Sequence, residues 1–114
     1  YKVRVITGKE SRSGTTANVT LTIYGQNGRS QTFPLKHKNE SFKKGSENIF
    51  FVTAEDLGNI SNIKIAHDDQ GKNPSWFLEM IIIEESGTGK IFRFPCGDWI
   101  SSDDGGKTFR YLSP

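Results

Sequence analysis

The feature that most constrains this chain is an alternation of side chains with a period of two. Val3 and Val5 alternate with Lys2 and Arg4, and Val19, Leu21 and Ile23 alternate with Asn18, Thr20 and Thr22. Phe33 and Leu35 flank Pro34, and Ile63 and Ile65 flank Lys64. Successive side chains of a strand point to opposite faces, so this pattern puts one face on a core and the other in water, as in antiparallel sheets. Pro34 has no N–H for a ladder, which predicts an edge strand or one interrupted there. Further strands are expected over 48–53, 76–83 and 90–94. The run Trp76-Phe-Leu-Glu-Met-Ile-Ile-Ile83 is apolar on both parities except at Glu79. It reads either as a central strand covered on both faces or as one whose phase shifts at a bulge.

Turn signals separate these segments: Gly25-Gln-Asn-Gly28, Gly45-Ser46, Asp68-Asp-Gln-Gly71, Gly87-Thr-Gly89 and Asp103-Asp-Gly-Gly106. Seven or eight short strands at this spacing predict a sandwich or a small barrel. One helical turn is expected over 54–57, ended by Gly58. No repeat or internal boundary divides the 114 residues, so 1–114 reads as one domain. Hydrophobic residues make up only 33%, but eight Phe, three Tyr and two Trp supply the burial a modest core needs.

A net charge of +2 gives no basis for a nucleic-acid partner, and any useful basic patch has to be local. Cys96 is the only cysteine, which excludes an intrachain disulfide and suits a reducing, intracellular compartment. No segment approaches the roughly 20 apolar residues that span a bilayer. The chain opens directly on a strand at Tyr1, so it is expected to be a segment of a longer polypeptide. Catalytic patterns are missing. There are two histidines, no Gly-x-Ser-x-Gly elbow, and Gly87-Thr-Gly89-Lys90 lacks the upstream glycine and the following Ser or Thr of a phosphate loop. The chain reads as non-catalytic.

An ordered set of residues points to a family. Thr7-Gly8 closes the first strand, Gly14-Thr-Thr-Ala-Asn-Val19 opens the next, and Tyr24-Gly25 ends it. Phe42, Gly45, Asp56-Leu-Gly58, Ile63-Lys-Ile65, His67-Asp68, Gly71, Pro74, Trp76-Phe-Leu78, Phe94-Pro-Cys96 and Trp99-Ile100 follow. Together they resemble the PLAT, or lipoxygenase homology, domain of polycystins, animal lipoxygenases and bacterial alpha-toxins. The Gly-Thr-Thr-Ala loop and the Pro-Ser-Trp-Phe-Leu run look most like the polycystin or tandem-repeat type. The resemblance implies an all-β, C2-like antiparallel β-sandwich of two four-stranded sheets. It also implies a targeting module that docks a larger protein, with its neighbouring domains, to a membrane surface or a protein partner. The alternative it raises is a calcium-dependent membrane-targeting domain of a lipid-acting enzyme.

Three candidate sites follow. Lys36, Lys38, Lys43 and Lys44, with only Glu40 as an acid among them, offer a footprint for an anionic membrane surface, with Phe42 directed into the core. Trp76 follows a Gly- and Pro-containing loop, where it either reaches a membrane interface or packs at the sandwich rim; Trp99 is expected in the core. Asp68 and Asp69 are the candidate calcium ligands, with Asn73, Asn39 and Glu40 nearby. The other reading of Asp68 is a turn cap that accepts backbone N–H bonds, with His67 donating from the strand end. Calcium-using members of the family carry Asp where this chain has Thr16, and acids where it has Pro74-Ser75. Weak calcium binding or none is therefore expected. Sequons at Asn18, Asn39 and Asn59 are at the level chance supplies.

Overall fold

The computed structural model describes residues 1–36 and 42–114. Its strands are β1 (Lys2–Thr7), β2 (Val19–Gly25), β3 (Gly28–Arg29), β4 (Phe33–Leu35), β5 (Glu47–Phe51), β6 (Ile60–His67), β7 (Trp76–Glu84), β8 (Ile91–Ile100) and β9 (Phe109–Leu112). They form two sheets, ordered β5-β1-β7-β8 and β3-β2-β6-β9, with β4 also paired to β2. Every pairing is antiparallel. The expected two-sheet sandwich is therefore present. The ninth strand arises because β3 and β4 share one edge of β2, β3 beside Tyr24–Gly25 and β4 beside Val19–Leu21. Pro34 sits on this interrupted edge, opposite Thr20.

The alternating apolar positions become the core. Val3, Val5, Leu21, Ile23, Ile63 and Ile65 are fully buried, and Val19 nearly so. Each such side chain contributes about 1.5–3 kcal/mol relative to exposure. In β7 the phase shifts. Trp76 and Leu78 face inward on one side of Glu79, and Ile81 and Ile83 on the other. Against β1 the register passes from Ile6↔Met80 to Thr7↔Leu78, so Glu79 is the extra residue of a bulge. The bulge, rather than cover on both faces, explains the two-parity run.

Two expectations are corrected. Residues 54–57 form no helical turn. They belong to the crossover between sheets, where Gly58 N–H donates to the Asp56 carboxylate and the buried Leu57 lies against the core. Trp99 is 38% exposed. It shares neither parity nor face with the inward Phe94 and Ile100, and packs edge-on against Phe77 on the outer face at 5.4 Å. Among the described residues no helix is long and apolar enough to cross a membrane.

Candidate functional site

Four connections meet at one end of the sandwich: β1–β2, β4–β5, β6–β7 and β8–β9. Their backbones are tied together. Thr16 N–H donates to Asn73 O at 2.9 Å, and Asn73 N–H returns a bond to the Thr16 hydroxyl at 3.0 Å. The Thr15 hydroxyl donates to Pro74 O at 2.6 Å, and Thr15 N–H to Phe42 O at 3.1 Å. Two glycines permit this closeness. A Cβ on Gly14 would lie 2.7 Å from Phe42 O. Gly71 has φ +85°, and its Cβ would meet the Thr16 hydroxyl. Phe42 is buried and packs on Phe50 at 5.7 Å and Trp76 at 5.2 Å, as expected for its ring. The ring anchors the described end of the lysine loop and leaves Lys43 and Lys44 at the surface.

Between these connections lies a groove of about 1370 Å³. Arg12, Lys36, Lys43, Lys44 and Lys72 line it, and Asp69, Asp103 and Asp104 line it too. Five cations against three carboxylates leave a local positive excess on a chain of low net charge. Pro74 and the half-exposed Trp99 complete the apolar part of the rim. Lys36, Lys43 and Lys44 line this groove together with Arg12, Lys72 and Trp99, which no local pattern in the sequence groups with them. Lys38 lies outside the described residues, as do Asn39 and Glu40.

Trp76 is corrected as a surface residue. It is fully buried, and its indole N–H donates to the buried Thr7 hydroxyl at 3.0 Å. An indole that fills the core and has its one polar atom satisfied is closed to a membrane or partner.

Asp68 and Asp69 engage different partners. Asp68 takes the capping role: its carboxylate accepts from Asn18 N–H at 3.0 Å, Asn18 Nδ2 at 2.6 Å and Gln70 N–H at 3.2 Å. These bonds, the Asn18 side chain first, lower its pKa from the usual carboxylate value. Asp69, at φ +59°, turns away and accepts from the Ser102 hydroxyl at 2.9 Å. Asp69 N–H donates to His67 Nδ1 at 3.0 Å, so Nε2 carries the proton and donates to Ile100 O at 2.9 Å. His67 therefore donates from the strand end as expected, with both nitrogens engaged. Thr16 is a strut for Asn73. Among the described residues no three His, Cys, Asp or Glu converge to hold a metal ion.

The chain matches the PLAT/LH2 domain over residues 1–113. It is 36% identical over 111 residues to human lipoxygenase homology domain-containing protein 1, covering 96% of this chain and 5% of that protein. It is 38% identical over 105 residues to the mouse polycystin family receptor for egg jelly, covering 90% and 5%. A coral 8R-lipoxygenase structure, described as calcium-activated via a C2-like domain, superposes with a TM-score of 0.88 at 30% identity. That superposition covers 99% of this chain and 16% of the lipoxygenase. The chain thus spans a small fraction of the relatives it matches.

Proposed function

We propose a function from one premise: the chain belongs to the PLAT/LH2 domain family. It is a non-catalytic docking module that brings a larger polypeptide to an anionic membrane surface through the loop end of its sandwich. The observation that carries this reading is the convergence of Arg12, Lys36, Lys43, Lys44 and Lys72 on one groove beside the half-exposed Trp99. Each cation near an anionic leaflet is worth about 1 kcal/mol. The attraction decays within about 8 Å at physiological salt. The three carboxylates of the same groove oppose it, so docking is weak, peripheral and salt-sensitive. Trp99 adds an amphipathic ring at the headgroup level. The relatives are far longer proteins, which supports a role as one unit among neighbouring domains. Docking proceeds without calcium in this reading, because Asn18 and Gln70 engage the Asp68 carboxylate and Ser102 engages that of Asp69.

Co-sedimentation with vesicles tests the reading. Phosphatidylserine-rich vesicles should retain the domain at about 0.1 M salt and release it at about 0.5 M, and neutral phosphatidylcholine vesicles should not retain it. Replacing Arg12, Lys36, Lys44 and Lys72 with Gln should abolish retention. Equal retention on both lipids removes the electrostatic account.

A further inference from the structure

We infer that the outer face of the β5-β1-β7-β8 sheet is a docking surface for a second copy of this domain. The outer face of a sandwich is ordinarily polar. Here Phe51 is 77% exposed, Ile91 46% and Ile49 38%, and Ile6, Met80 and Ile82 between them are half-buried. All six lie on the same face, and none of them lines the cationic groove. The strand registers arrange the face in rows. Phe51, Lys2, Glu84 and Ile91 stand side by side across β5, β1, β7 and β8. Ile49, Arg4, Ile82 and Arg93 form the next row, and Glu47, Ile6, Met80 and Pro95 the third.

This pattern is complementary to itself. Turn a second copy over about a two-fold axis that runs parallel to the strands, between β1 and β7. Each row then meets its own reverse, as an isologous contact requires. Phe51 faces Ile91, Ile6 faces Met80, and Lys2 faces Glu84, each pair occurring twice. Arg4, already paired with Glu47 of its own chain at 2.5 Å, lies over Ile82. Like charges meet nowhere in the row. The pairs on β1 and β7 lie nearest the axis, where the roughly 30° rotation between packed sheets displaces them least. Four strands about 4.8 Å apart give a small footprint, so the contact belongs with weak interfaces below about 1,200 Å². It strengthens when two copies share one polypeptide and their effective concentration rises.

Sedimentation equilibrium of the 114-residue chain tests this. The weight-average mass should climb toward twice the monomer value between about 10 µM and about 1 mM, the range of weak association. Phe51→Asp should weaken association at least tenfold, and so should Lys2→Glu. Lys2→Glu combined with Glu84→Lys should restore it, with thermal melts confirming that all variants stay folded. A chain that remains monomeric at about 1 mM overturns the inference, as does a dimer indifferent to Phe51→Asp. A double variant no better than Lys2→Glu contradicts the facing of those residues. Loss of vesicle binding in Phe51→Asp at unchanged mass assigns the face to a membrane and also overturns it. Failure of the vesicle test above leaves this inference standing, because the groove variants share no residue with this face.

Discussion

Asp68 holds Asn18 by both its backbone N–H and its side-chain amide, at 3.0 and 2.6 Å, across 50 residues of sequence. This clamp joins the end of β6 to the start of β2 and fixes the base of the cationic groove. Its carboxyl is held below the usual aspartate range, chiefly by the Asn18 side chain. A carboxyl with a lowered folded-state pKa adds stability above its unfolded pKa and loses it as pH falls through the folded value. The clamp is therefore intact at neutral pH and released only in acid, below the ordinary carboxylate range. Carboxyl NMR titration should show Asp68 titrating below the ordinary aspartate value, and Asn18→Ala should return it toward the ordinary range. An unchanged Asp68 midpoint in Asn18→Ala contradicts the clamp.

Leu21 is fully buried between the sheets. Leu21→Ala should cost about 2–5 kcal/mol in urea unfolding, through lost transfer energy and the cavity it leaves. A cost below about 0.5 kcal/mol means that β2 faces the other way.

The two tryptophans should report opposite environments. Trp76 is enclosed and bonded to Thr7, whereas Trp99 is half-exposed at the groove rim. Acrylamide should quench emission strongly in Trp76→Phe, which retains Trp99, and weakly in Trp99→Phe. Trp76→Phe should also destabilise the fold by about 1–3 kcal/mol, because the Thr7 hydroxyl loses its partner in the interior. The reverse quenching order contradicts the assigned faces.

The aspartates should be dispensable for docking. Calorimetry should show no calcium binding of micromolar affinity, and Asp69→Asn should leave vesicle retention unchanged or slightly raised, since it removes an acid from the groove. Micromolar calcium binding that disappears in Asp69→Asn contradicts this.

Much of the fold is legible in the alternation. Val3, Val5, Leu21, Ile63 and Ile65 turn inward because period two leaves them no other face, and Pro34 occupies an edge because it lacks a donor. The phase of β7 is not legible. Either parity of its apolar run could face the core, and the bulge at Glu79 is set by pairing with Thr7, more than 70 residues away in sequence. Trp99 was readable in principle, since Phe94 and Ile100 share a parity that it does not. The lysines at 36, 43 and 44 are a local cluster and so were visible. Arg12 and Lys72 reach the same groove only through the Thr15–Pro74 and Thr16–Asn73 bonds between distant loops, which no local pattern encodes. The self-complementary outer face is a property of register across four strands, invisible until the strands are paired.

The central claim is that the loop end of the sandwich, and no other face, meets the membrane. Amide and indole NMR shifts on adding phosphatidylserine nanodiscs test it most directly. Arg12, Lys36, Lys44, Lys72 and the Trp99 indole should shift or broaden together, while Phe51 and Ile91 stay unchanged. Perturbation centred on Phe51 and Ile91, with the groove residues silent, contradicts the account.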